Sequence, residues 1–293
     1  MELTKGYFLA AAAGVSWATT GIFSTLLFQE GLHPLEIASA RIFLAAIMFF
    51  FYCLTMYRSV FRLKVRELFY FAVSGLIGVG FFNFFYLQAI ERIGVSVAVV
   101  LLYISPVFVL TVSFFLLQER ISFLKVIAST IAIAGVFLTV RGYELLYFPG
   151  ALDYGGIALG VGAGLSFASL SVFGKYALGK YELLKVVFYM MFFGALSFSF
   201  YFPPWTIFQR EITTLALLLL LAIALISTFL AHFLYILGLQ YVEAGKASVA
   251  VAVEPPAAIF LAFVILGENL NFWQYIGVVL VLAAVVLLRR DHK

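Results

Sequence analysis

Charge is scarce in this sequence. Asp, Glu, Lys and Arg make up 11% of its 293 residues, while 65% are hydrophobic and the mean hydropathy is +1.13. Ordinary soluble domains carry about 25% charge and about 45–50% apolar residues, so a soluble globular chain is excluded. Cysteine is scarcer still. Cys53 stands alone, which rules out an intrachain disulfide and leaves the redox compartment open. Histidine occurs three times: His33 in a loop, His232 in an apolar run and His292 at the tail. No nucleophile–base pair or metal-ligand cluster can be assembled from them, so no catalytic residue, cofactor or metal site is expected. The net charge of +4 does not point to nucleic acid, because the cations sit at the ends of apolar runs. Polar linkers are missing too, and with them any extramembrane domain.

What the chain does have is ten apolar segments, at about 6–28, 34–57, 67–90, 94–118, 123–141, 152–175, 183–203, 212–239, 244–267 and 272–289. A membrane-spanning helix takes roughly 20 residues. The first run follows Lys5, lacks a clear cleavage site and leads into further runs, so it is read as a retained span and not a signal peptide. Fourteen of the 18 Lys and Arg residues fall on one side of the membrane if the N-terminus is inside. They are Lys5, Arg58, Arg62, Lys64, Arg66, Arg120, Lys125, Lys175, Lys180, Lys185, Lys246, Arg289, Arg290 and Lys293. The other side holds only Arg92, Arg141 and Arg210, and Arg41 lies within the second span. The positive-inside rule then places both termini in the cytoplasm, in a multi-pass protein of the cytoplasmic membrane.

The chain also repeats itself. A shift of 149 residues carries Pro255 onto Pro106, Phe263 onto Phe114, Glu268 onto Glu119 and Phe272 onto Phe123, and upstream Phe233 onto Phe84 and Tyr235 onto Tyr86. Near the N-terminus a shift of 150 pairs Gly14, Ser16, Ala18 and Phe23 with Gly164, Ser166, Ala168 and Phe173. Two units follow, 1–145 and 150–293. Five spans per unit is an odd number, so the second must lie inverted relative to the first. The expected fold is an all-α membrane protein of ten transmembrane helices in two inverted five-helix repeats.

The ninth span, inside KASVAVAVEPPAAIFLAFVILGENLNFWQYIG, is interrupted by Glu254, Pro255 and Pro256. Each proline frees the carbonyl four residues back, and bare carbonyls at membrane depth need a protein partner or a cavity. Other residues read as architecture. Gly156, Gly160 and Gly164 form a ridge for close helix approach, and Gly75, Gly78 and Gly80 thin the third span. Asn271 with Gln274, and Ser122 with Lys125, fit helix starts. Glu119 and Glu268 lie just before those starts, where a carboxylate suits the positive end of the helix dipole, with gating or substrate entry as the alternative role.

Two five-span halves, each with a proline-bearing fourth span ending in LLQERISFLK or ILGENLNFWQ, resemble the EamA group of the drug/metabolite transporter superfamily. Arg41 in SARIFLAA and the FYLQAIERIGVSVA run also match. The resemblance covers nearly the whole chain. It implies a carrier working by alternating access, often an exporter of metabolites or amino acids, and does not name a substrate.

Polar side chains at membrane depth supply the candidate site. Thr20 shares one face of the first span with Ser16 and Thr19, beside Trp17, and Ser166 with Ser169 repeats the pattern. Helix–helix hydrogen bonding and substrate contact both fit them. Asn83 and Tyr86 on span three are matched by His232 and Tyr235 on span eight, as two walls of one cavity or as interhelical locks. Tyr rings can clamp an apolar substrate while Asn and His bind its polar groups. Tyr103 and Ser105 stand opposite the Glu254 region in span four. Glu254 is either a proton-coupling or substrate-binding carboxylate or the fixed ion-pair partner of Arg41, and His232 is a second coupling candidate because histidine ordinarily titrates near neutrality.

The expected function is therefore a secondary transporter of a small metabolite, with a hydrophobic or aromatic amino acid first, working as an exporter. Importers of a nucleobase, vitamin or drug-like cation form the alternative, and an intramembrane enzyme or channel stands last. The partners implied are the substrate, the bilayer and, for a coupled carrier, protons. A monomer is sufficient and a dimer is compatible.

Overall fold

The computed structural model describes residues 2–62, 64–146, 153–209 and 211–288, and only the backbone of residues 65–67, 145–146 and 208. Among the described residues every regular element is helical. Of the cations that set the expected orientation, Arg210, Arg289, Arg290, Lys293 and the Arg66 side chain lie outside them.

Seven helical stretches are long and apolar enough to cross a membrane: α1 (Glu2–Gln29), α2 (Pro34–Met56), α3 (Leu68–Leu102), α6 (Tyr154–Leu178), α7 (Leu183–Tyr201), α8 (Thr214–Tyr241) and α9 (Ala244–Leu266). Three shorter apolar helices complete the set: α4 (Ser105–Leu116), α5 (Phe123–Thr139) and α10 (Phe272–Leu288). Their starts follow from local chemistry. His33 and Glu36 close a capping box before α2, with Pro34 as the first helical residue, where its missing N–H costs nothing. Ser122 accepts from the Lys125 amide before α5, Asp153 from the Gly155 and Gly156 amides before α6, and Thr213 from the Ala216 amide within α8. Asn271 and Gln274 exchange side chain for backbone across the first turn of α10.

Several boundaries differ from expectation. The third and fourth apolar segments were expected to part between 90 and 94, and the backbone does break there, at Gly94, whose φ of 79° and ψ of 162° are not helical; the difference lies further on, where helix stops again after Leu102. A left-handed φ of this kind is one that glycine adopts without steric cost. The fourth segment thus comprises the end of α3 and, past a turn at Tyr103 and Ile104, the short helix α4. Likewise α9 tightens to a 3₁₀ turn at Val251–Val253, ahead of Pro255 and Pro256. Both α3 and α8 widen into a π-helical stretch, at Val73–Phe81 and Ile223–Leu230.

The packing crosses from one unit to the other. Helix α1 lies against α8 and α9, and α6 lies against α3 and α4; α2 pairs with α7, α5 with α10 and α4 with α9. Close approach depends on missing side chains. A Cβ on Gly14 of α1 would stand 2.8 Å from the Val251 carbonyl oxygen, and one on Gly164 of α6 would stand 3.1 Å from that of Leu101. Each helix therefore rests on the backbone of the other unit's broken span. Phe8, Phe115, Phe200 and Val279 project from the periphery.

Candidate functional site

A cavity of about 520 Å³ lies where the two units meet. It is lined from α1 by Trp17 and Thr20, from α2 by Arg41, from α3 by Asn83, Tyr86 and Ser96, from α8 by His232 and from α9 by Glu254, with Tyr103 and Ser105 at the α3–α4 turn. The broken span α9 and the turn before α4 thus both open onto it.

One wall is aromatic. The Trp17 ring meets Phe167 at 5.9 Å and His232 at 5.1 Å, both edge-on, and Phe82 stacks on Tyr86 at 5.7 Å. Polar groups are spaced around it. Arg41 donates through Nη2 to Asn83 Oδ1 at 2.7 Å and through Nη1 to Thr228 Oγ1 at 3.1 Å. The Asn83 amide nitrogen in turn donates to the Val79 carbonyl, which fixes which way the side chain faces. Tyr103 donates to Glu254 Oε2 at 2.8 Å, joining the two broken spans at their breaks. His232 places Nδ1 at 2.7 Å from the Thr228 carbonyl oxygen, so Nδ1 carries the hydrogen and Nε2 is left as an acceptor.

Most of the residues singled out in the sequence meet here: Trp17, Thr20, Asn83, Tyr86, Tyr103, His232 and Glu254 share the lining. Ser166 and Tyr235 do not. Ser166 is buried in α6, and Tyr235 is buried behind Trp17 and Phe167 with its hydroxyl 2.7 Å from Ser171 Oγ. Thr19 likewise bonds to the Ser16 carbonyl and Ser227, which makes it a helix–helix tie. Arg41 is not in an ion pair with Glu254. Both charges face the cavity, and Arg41 is held by Asn83 and Thr228, the acceptors its fork reaches first.

Sequence reasoning singled out Glu119 and Glu268 at the two ends but not the groups they face. At one, Arg141, Glu268 and Gln274 line both the main cavity and an adjoining one of about 440 Å³. The Glu268 side chain is exposed and makes no hydrogen bond or ion pair among the described residues, while its amide donates to the Ala262 carbonyl at 3.3 Å. At the other end, Glu119 was expected to serve the helix that follows it. Ser122 caps that helix, and Glu119 instead accepts from the Ala244 and Gly245 amides at 2.8 and 3.4 Å, at the start of α9 in the other unit. Beside it Lys125, 1% exposed, pairs with Glu243 at 2.8 Å, and Lys246 approaches the same carboxylate at 3.2 Å. Lys175 adds hydrogen bonds to the Leu239 and Val242 carbonyls at the end of α8. A contact made to the opposite repeat leaves no mark in the sequence around Glu119.

Residues 4–141 and again 154–290 match the EamA-like transporter family. The chain is similar to an uncharacterized transporter of Archaeoglobus fulgidus, 27% identical over 96% of each chain. It is also similar to the uncharacterized inner membrane transporter YicL of Salmonella typhimurium, 25% identical over 99% of this chain and 96% of that one. The uncharacterized transporter YoaV of Bacillus subtilis is 24% identical over 90% and 91%. A crystal structure of a protein with 17% identity superposes over 99% of both chains at a TM-score of 0.81.

Proposed function

The chain belongs to the EamA-like transporter family, and on that premise we propose that this membrane transporter is a secondary carrier of hydrophobic or aromatic amino acids, working as an exporter by alternating access. Ten helices in two inverted five-helix repeats form the carrier, with both termini in the cytoplasm and the cytoplasmic membrane as its seat. Three features support the repeat: the mutual packing of α1 on α9 and α6 on α4, the matched π stretches and the matched breaks. The excess of cations on one side supports the orientation.

The observation that carries the substrate class is a guanidinium and a carboxylate lining one aromatic cavity. Isolated charges at membrane depth are costly and mark function. Arg41 has donors to spare after Asn83 and Thr228, which suits a substrate carboxylate, while Glu254, held among the described residues by Tyr103 alone, suits an ammonium. Trp17, Tyr86 and Phe167 accommodate an apolar side chain. Glu254 and His232 are the proton-coupling groups, and one chain suffices.

The test is flux of labelled phenylalanine, tryptophan, leucine and threonine in proteoliposomes, with and without a pH gradient. Saturable flux of the aromatic or aliphatic members is expected, and the gradient should accelerate it. A folded protein that moves none of the four would sink the amino-acid assignment and turn attention to nucleobases, vitamins and cationic drugs.

A further inference from the structure

Matched positions of the two repeats, each with a glutamate, stand in opposite conditions at the two ends of the molecule. At the closed end Glu119 caps α9 through the Ala244 and Gly245 amides. The 149-residue shift converts Glu119 into Glu268, Ala244 and Gly245 into Val95 and Ser96, and Lys125 into Gln274. Every one of these counterparts lines the main cavity at its other end. Val95 is 59% exposed where Ala244 is fully buried, and Glu268 is exposed where Glu119 is partly covered.

A helix starts at the matched place at both ends, though the residue before it agrees only in ψ. Glu243 (φ −64°, ψ 151°) precedes the helix that Glu119 caps, and its counterpart Gly94 (φ 79°, ψ 162°) precedes the helix that resumes at Val95. No side chain caps that second start among the described residues, although a carboxylate there would gain amide hydrogen bonds and the helix dipole.

We propose that Glu119 and Glu268 are exchanging helix caps: in the state facing the opposite way, Glu268 accepts from the Val95 and Ser96 amides and closes that end, while Glu119 releases Ala244 and Gly245. This rests on the alternating-access reading and adds the contacts that would hold each state. Because each cap exists only in one state, each biases the equilibrium toward that state alone, as a differential contact must. Gln274 in the place of Lys125 makes the second closure weaker in charge, which accords with a resting form closed at the Glu119 end.

Introduced cysteines test this without any substrate, with Cys53, which is buried, left in place and the parent protein giving its background labelling. Val95→Cys and Ala244→Cys proteins in nanodiscs are labelled with a bulky maleimide and the rates compared. Adding Glu119→Ala should raise the rate at position 244 about ten-fold, the usual worth of a charged cap, and lower the rate at position 95. Glu268→Ala should do the reverse, lowering the rate at 244 and raising it at 95, and the double variant should fall back toward the parent. Glu119→Gln, with unfolding followed by size-exclusion, replaces Glu119→Ala should the latter fail to fold. An increase at 244 with no fall at 95, or a Glu268→Ala protein that moves neither rate, overturns the exchange. Flux without reciprocity would remove the caps and keep the carrier; reciprocity without amino-acid flux would keep the caps and alternating access and remove the amino-acid assignment.

Discussion

Glu254 was legible because a carboxylate inside an apolar run demands an explanation wherever it lies. Its surroundings were not legible, since pattern gives the position of a residue along a helix and not its distance from another helix. Arg41 accordingly looked like its partner, whereas Tyr103 holds Glu254 and Asn83 with Thr228 hold Arg41. Tyr235 and Ser166 were chosen by repeat matching, which cannot tell the face toward the cavity from the face behind it. Tyr103→Phe removes the one hydrogen-bond donor that touches the carboxylate among the described residues. Such bonds to charged groups are worth roughly 1.5–3 kcal/mol of stability, so the thermal midpoint should fall and flux in proteoliposomes with it. Gln118 gives a stability test. It is exposed and sits at φ 57°, the left-handed position that Gly267 fills in the second half. Gln118→Gly should stabilise by about 0.5–1 kcal/mol, the left-handed strain outweighing the chain entropy of glycine. An unaltered or lower thermal midpoint in detergent would contradict it.

Among elements, helix starts were the readable part, because a cap is a local signal: Ser122 and Asn271 were both found from spacing alone. The π stretches were not readable, as nothing in VSGLIGVGF or IALISTFL departs from an ordinary apolar helix. Small residues carry more information at this scale than large ones. On α1, Gly14 rests on the Val251 carbonyl, while a Cβ on Gly21 would meet nothing within 4 Å. Gly14→Val should therefore push α1 off the broken span and destabilise by about 1–3 kcal/mol or more. Gly21→Ala should gain up to about 1 kcal/mol in helix propensity. Thermal unfolding of the two purified variants in the same detergent, shifting in opposite directions, checks both.

At the scale of the molecule, the duplication was open to inspection, while the interlocking of the units was not. Residues in contact across the cavity lie about one repeat apart in sequence, as Tyr103 and Glu254 do, and local pattern carries no trace of them. Since α1 packs on α8 and α9, and α6 on α3 and α4, neither half can bury its small-residue faces alone. Residues 1–148 and 149–293 expressed as separate chains should be lost singly and recovered together, with a tag on one retaining the other through purification. Independent recovery of either half would argue against that interdependence.

The reciprocal seating of Gly14 on the Val251 backbone and Gly164 on that of Leu101 means that each half offers the other the kind of surface it receives, the geometry of an isologous contact between two copies. At matched positions the halves differ in chemistry, with Glu254 for Ser105 and Lys125 for Gln274, so a contact that is near-symmetric in backbone surrounds a cavity whose two sides are unequal.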